Sequence, residues 1–254
     1  MSGKDFTGKV AFVTGAGNGI GRATAVAFAK AGANVALADI DILGCQDAAK
    51  EIQQDGGKCL SIGCDVTKET DIRDALDETL KTFGSLDIAF NNAGAYQKIA
   101  PLADFGEEDW HRIMDVNVTS TFLCMRNQIP IMLERGGGCI VNTSSGAGVI
   151  ANKGGAIYGA AKHAVLGLTR SAALDYATKN IRINAVCPGV VISNLTRTIS
   201  GDTLEGLAAL AAMEPIGRLG QPEEIASAVL WLCSKDAGFT IGHGLVVDGG
   251  YTIG

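Results

Sequence analysis

Tyr158 and Lys162 stand four positions apart in a stretch, 156–178, that reads as helix, so their side chains share one face. An ammonium near a phenol favours phenolate and lowers the phenol's pKa. Moving a tyrosine from about 10 towards 7 takes roughly 4 kcal/mol, at about 1.36 kcal/mol per pH unit, and one lysine does not supply all of it. Alone, the pair is also what an ordinary amphipathic helix presents. Two further features add to it. Ser144-Ser145 directly follows the apolar run 139–143, so its hydroxyls emerge at the end of a predicted strand. Asn117 lies in Asp115-Val-Asn-Val, inside a predicted helix, where a polar residue among apolar ones needs a partner. A core asparagine satisfied by backbone is the plainer reading of it.

A second cluster is built for phosphate. Val10-Ala-Phe-Val-Thr14 runs straight into Gly15-Ala-Gly17-Asn-Gly19-Ile-Gly21, which opens a helix. Glycines there allow a tight turn and bring backbone N–H groups close to a pyrophosphate at the helix N-terminus. In a chain with 34 glycines the spacing alone is weak, and the strand before and helix after carry the assignment. Asp39 ends the next predicted strand, where a carboxylate can bond both adenosine ribose hydroxyls and would repel a 2′-phosphate. NAD is therefore expected rather than NADP, with a helix-capping aspartate as the alternative reading. Asp65-Val66 and Asn91-Asn-Ala-Gly94 end two more strands at the same edge, suited to the adenine and to a ribose lying against backbone.

The elements that must position these groups alternate along the chain. Strands are predicted at 10–14, 34–39, 58–64, 86–90, 139–143, 182–186 and 245–247. Helices are predicted at 21–31, 42–54, 69–83, 107–133, 156–178 and 222–233, with Pro130 disturbing the last turn of the fourth. Apolar strands joined by helices imply a parallel sheet covered on both faces. Right-handed crossovers make it an α/β, doubly wound Rossmann fold, seven-stranded in order 3-2-1-4-5-6-7, with helices on both faces. No linker divides residues 1–254, which read as a single domain. The segment 190–215, with a short helix at 203–213, reads as a substrate lid.

Composition narrows the class. With 47% hydrophobic and 19% charged residues over 254 positions, the chain can bury a sizeable core, and disorder is excluded. The net charge is −6 and the basic residues are scattered, so neither nucleic acid nor an anionic membrane is an expected partner. Seven cysteines without a C-x-x-C, and three isolated histidines, read as reduced thiols with no metal site. No signal core or 18-residue apolar run is seen, so a cytoplasmic location is expected.

Thr14-Gly-x-x-x-Gly19-x-Gly21, Asn91-Asn-Ala-Gly, Asn117, Ser145, Tyr158-x-x-x-Lys162 and Pro188-Gly189, in this order over nearly the whole chain, resemble the compact branch of the short-chain dehydrogenase/reductase family. The extended epimerase branch has a different loop spacing, and the enoyl-reductase branch spaces Tyr and Lys more widely. The resemblance implies Tyr158 as acid/base and Lys162 as the residue that binds the nicotinamide ribose and lowers the tyrosine pKa, with the positive nicotinamide adding to that effect. It implies Ser145, 13 residues before Tyr158, as the hydroxyl bonding the substrate oxygen, and Asn117 as holder of a relay water. Cofactor contacts are then expected from Gly15, Asn18, Gly19, Ile20 and Gly21, from Asp39 and Ile40, and from Asp65 and Val66. Further along they come from Asn92, Ala93 and Gly94, from Tyr158 and Lys162, and from Pro188, Gly189 and Val191. Ser193 stands where the family usually has threonine.

The expected activity is NAD-dependent hydride transfer between a small neutral secondary alcohol and its ketone, in a homotetramer. The substrate pocket is expected from Tyr96, Gln97, Ser145, Ala147, Asn152 and Tyr158, with Arg197 the one charged lid candidate. The C-terminal residues are expected at a subunit contact. Three other readings share the fold. Asp39 argues against an NADP-dependent 3-oxoacyl-carrier-protein reductase. A catalytically inactive nucleotide-sensing regulator would often lack Tyr or Lys. A halohydrin-dehalogenase-type lyase would lose the glycine loop and carry arginine for lysine.

Overall fold

Consecutive residues of a strand point to opposite faces, and in this sheet both faces are apolar. In β1 (Val10–Thr14) every residue is buried: Val13 packs with Phe28, Leu37 and Val229 on one side, Phe12 with Ile72, Leu76 and Met132 on the other. Each such fully buried large side chain contributes about 1.5–3 kcal/mol. The computed structural model describes residues 5–254. With β1 run β2 (Asn34–Asp39), β3 (Cys59–Gly63), β4 (Ile88–Asn91), β5 (Gly138–Thr143), β6 (Ile181–Pro188) and β7 (Gly244–Val247), all parallel, in the order β3-β2-β1-β4-β5-β6-β7. The expected order is the observed one. Helices α1 (Gly19–Lys30) and α2 (Ile42–Gln54) cover one face together with a late helix, Pro222–Cys233. The other face is covered by α3 (Glu69–Phe83) and by two long helices from the middle of the chain.

The predicted helix at 107–133 is in fact two. It runs as α4 (Glu107–Met114), a wide π turn over Asp115–Thr119, and α5 (Ser120–Glu134). The irregularity therefore lies at Asn117, and α5 passes through Pro130 for another turn. Helix α6 (Ala156–Tyr176) follows, and the segment after β6 holds α7 (Asn194–Ile199) and α8 (Leu204–Ala211) before α9 (Pro222–Cys233). α7 was not foreseen. Its signal is Ser193 and Thr196, whose side chains each bond the other's backbone N–H to start the helix.

Beneath the C-terminal strand ends lies a buried amide network. Asn91 and Gln128 exchange hydrogen bonds at 3.1 and 2.8 Å, Asn91 Nδ2 donates to Asn142 Oδ1 at 2.9 Å, and Asn142 Nδ2 donates to Thr169 Oγ1 at 2.9 Å. An unsatisfied buried amide would cost about 1–3 kcal/mol, so these partners specify how β4, β5, α5 and α6 sit together.

Candidate active site

The strand ends open into a cleft of about 470 Å³. At one end Gly15, Asn18, Gly19 and Ile20 line it, and the loop approaches itself so closely that a Cβ on Gly21 would run into the Gly15 carbonyl oxygen. Asn92 holds this loop to the next strand end: its Nδ2 donates to the carbonyls of Thr14 and Gly15 at 3.2 Å, while Thr14 Oγ1 accepts from the amides of Asn92 and Ala93 at 2.9 and 3.1 Å. Asp39 is buried at the end of β2. Its Oδ2 accepts from Gly17 N at 2.8 Å and its Oδ1 from Asp41 N at 2.9 Å. Ile40, largely exposed, and Asp65 and Val66 also border this end. The Asp65 carboxylate accepts from the Thr67 hydroxyl at 2.7 Å. Bare loop backbone beside a fixed carboxylate is a donor and acceptor set that fits an adenosine dinucleotide.

At the middle of the cleft Tyr158, Lys162, Ser145 and Asn117 come together with Gly94. Lys162 is buried; its Nζ donates to the Thr143 carbonyl at 2.9 Å and stands 5.4 Å from the centre of the Tyr158 ring. Burial pulls this ammonium down to about 8. The expected lowering of the phenol is not met: burial pushes Tyr158 up to about 12, the Ser145 hydroxyl pulls it part of the way back, and Tyr96 adds to the rise. The reason is placement, since Nζ is committed to a carbonyl and lies over the ring. Ser144 turns inward to the Lys162 carbonyl at 2.9 Å, whereas Ser145 reaches the phenol.

Asn117 owes its position to the π turn, a local widening that recurs at functional sites. Its Nδ2 donates to Ala95 O and Ile113 O, both at 2.9 Å, and its buried Oδ1 has no partner among the described residues. That oxygen faces Gly94 on the side of Lys162: a Cβ on Gly94 would lie 2.9 Å from it and 3.5 Å from Nζ. A buried acceptor without a protein partner is suited to an ordered water.

Pro188, Gly189 and Val191 line the cleft beyond Lys162. Their turn rests on a carboxylate that sequence reasoning missed, Glu214, whose Oε1 accepts from Val190 N at 2.6 Å while Oε2 has no partner among the described residues. Burial raises its pKa, and Asp248 adds to the rise. Ser193 lines the cleft too, but its hydroxyl caps α7 by accepting from Thr196 N at 3.2 Å.

The far end is walled by Tyr96, Ala147, Asn152, Ile199, Leu210 and Met213. Gln97 does not line it. It is buried, accepting from Tyr158 N at 2.6 Å and donating to Gly154 O at 2.8 Å, which sets the start of α6. Arg197 is exposed, pairs with Asp202 at 3.3 Å and does not line the cleft, whereas Lys153 does. Also unforeseen is Tyr251, whose turn folds back onto its own chain, with Asp248 accepting from the amides of Gly250 and Thr252 at 2.9 and 2.8 Å. Nothing local in the sequence points to either Glu214 or Tyr251, because both act on segments remote along the chain.

A family model described as Enoyl-(Acyl carrier protein) reductase matches residues 15–252. Among curated proteins, the chain is 43% identical over 252 residues to the cyclohexanol dehydrogenase of Acinetobacter sp. (strain SE19), covering 99% of this chain and 98% of that protein. It is 47% identical over 253 residues to the 2,5-dichloro-2,5-cyclohexadiene-1,4-diol dehydrogenase of Sphingobium indicum, covering 98% of both. Among solved structures, a short-chain type dehydrogenase/reductase from Mycobacterium marinum superposes with a TM-score of 0.93 at 38% identity, covering 99% of this chain and 98% of that one.

Proposed function

The chain belongs to the short-chain dehydrogenase/reductase family, and from that premise we propose that it is an NAD-dependent oxidoreductase interconverting a neutral, cyclic secondary alcohol and its ketone. The observation that carries this reading is the meeting of Tyr158, Lys162 and Ser145 in one cleft with the glycine loop and Asp39. The similarity to dehydrogenases named for cyclohexanol and a cyclohexadienediol supports the substrate class.

Gly15, Gly19 and Asp39 would hold the adenosine and pyrophosphate half of the cofactor, and Gly94, Lys162 and the Pro188–Val191 turn the nicotinamide half. When bound, NAD supplies the hydride acceptor and, reduced, the donor. In alcohol oxidation the Tyr158 phenol first gives up its own proton, and the phenolate oxygen so formed takes the hydroxyl proton; in ketone reduction the phenol gives its proton to the substrate oxygen. Ser145 donates to the same substrate oxygen and stabilises the charge that develops there. Lys162 keeps a positive charge beside the phenol, and the free Asn117 Oδ1 holds a water through which the proton leaves towards solvent. Residues 190–215 act as the lid of a single domain over residues 1–254, with Ile199, Leu210 and Met213 presenting apolar surface that keeps water from the reacting carbon.

The assembly is a homotetramer in the cytoplasm. Phe122 on α5 and Leu174 on α6 are 44% and 79% exposed, which suits pairing of these long helices between subunits. Among the described residues no helix is long and apolar enough to cross a membrane, and none of the seven cysteines is in a disulfide. The deciding experiment is steady-state oxidation of cyclohexanol with NAD and with NADP, beside sedimentation of the free protein. Turnover with NAD at least about tenfold more efficient than with NADP is expected. A preference for NADP overturns the cofactor assignment, and a stable monomer overturns the assembly.

A further inference from the structure

The Tyr251 hydroxyl donates to Asn152 Oδ1 at 2.7 Å, joining the C-terminal turn to the loop that follows Ser145. The ring lies against backbone beside the catalytic serine: a Cβ on Gly146 would stand 3.0 Å from Tyr251 Cδ1. Two anchors fix this arrangement, the Asp248 carboxylate that organises the turn and the packing of Gly250 on Pro215 at the end of the lid segment. With Oδ1 engaged, the orientation of the Asn152 amide is set, and its Nδ2 has no hydrogen-bond partner among the described residues. Both residues line the cleft, as do the apolar side chains of Ile199, Leu210 and Met213.

This is a polar pair at the substrate end of the cleft, separate from the groups that handle the reacting oxygen. An amide N–H that loses water when a ligand enters must find a new acceptor or weaken binding. We propose that Asn152 and Tyr251 form a second oxygen subsite, so that the preferred substrates carry two oxygens on one ring: diols in the oxidation direction, and the hydroxyketones two electrons above them in the reduction direction. The second oxygen accepts from Asn152 Nδ2 and, where it is a hydroxyl, donates to the Tyr251 oxygen. A ring with one hydroxyl leaves that amide unpaired and is the poorer substrate. The proposal rests on the alcohol dehydrogenase reading above and adds to it which alcohols are taken.

The test compares kcat/KM with NAD for cyclohexanol and for the cis and trans cyclohexanediols of every ring spacing, in the wild type, Tyr251→Phe and Asn152→Ala. The best diol is expected to exceed cyclohexanol by about tenfold or more, mainly through KM. That ratio is expected to fall about fivefold or more in each variant, the worth of one hydrogen bond. A ratio of two substrates on one preparation is independent of the fraction that is folded. A wild-type ratio near unity, or ratios within about twofold of wild type in both variants, overturns the subsite while leaving the dehydrogenase reading in place. A hydroxycyclohexanecarboxylate outperforming every diol also overturns it, in favour of charge recognition by Lys153. No turnover of any of these alcohols overturns the dehydrogenase reading and the subsite with it.

Discussion

The Asp39 carboxylate and the Gly17 amide are hydrogen-bonded at 2.8 Å, so the end of β2 and the phosphate loop are held as one unit. Asp39 therefore shapes the loop as well as presenting a charge. Like charges brought together at close quarters cost several kcal/mol. Asp39→Ser is expected to raise the NADP-to-NAD ratio of kcat/KM by about a hundredfold or more, and to lower thermal stability slightly through the lost loop contact. Steady-state kinetics with both cofactors check it; an unchanged ratio would place the selectivity elsewhere in the cleft.

Tyr158 is the proposed acid/base, with the Ser145 hydroxyl beside its phenol. Replacing Tyr158 by Phe should lower kcat by about a thousandfold or more, while NADH still binds. Ser145→Ala should cost less, about a hundredfold, because the tyrosine still donates. Turnover of Tyr158→Phe within tenfold of wild type, on about the same scale, would falsify the acid/base assignment.

Lys162 links the site to stability. Its ammonium is brought from an ordinary 10.5 down to about 8 by burial, so between these values the unfolded chain binds the proton that the folded chain releases. Stability then rises with pH across that window, and the full penalty of burying the charge is present below about 8. In protein without added cofactor, Lys162→Met is expected to be more stable near neutrality by roughly 2 kcal/mol, with the advantage vanishing towards about pH 10. Thermal melts across this range test the point. An advantage independent of pH, or none, is the contrary result.

Gly94 leaves open the space between Asn117 Oδ1 and Lys162 Nζ. A methyl group there would stand 2.9 Å from the oxygen and 3.5 Å from the nitrogen, where the relay water is expected. Gly94→Ala should lower kcat by about tenfold or more with a smaller change in KM, and should alter the pH profile of kcat. Gly63→Ala, whose added carbon meets nothing within 4 Å, is the control and should stay within about 0.5 kcal/mol of wild-type stability.

Much of this was legible along the chain because it is written locally. Continuous apolar runs placed β1 and β2, and Asp39 and the glycine loop followed from their positions at strand ends. The failures share a cause. The helix break sits at Asn117 and not at Pro130, because the widening answers to a side chain bonding Ala95 O and Ile113 O. Gln97 serves the start of α6 and not the substrate, since its partners, Gly154 O and Tyr158 N, are far along the chain.

From its sequence by itself, then, this protein is determined to be a parallel doubly wound sheet with a glycine loop and a serine at its strand ends and a tyrosine and lysine on one face of a helix. Period, turn chemistry and chain order are properties of neighbouring residues. Only the tertiary structure decided the electrostatics and the far wall of the cleft: that Lys162 lies over the Tyr158 ring and bonds Thr143, that burial raises the phenol, and that Tyr251 comes back to meet Asn152. Burial and contact depend on what the folded chain brings alongside, and no local pattern encodes which remote residue that will be.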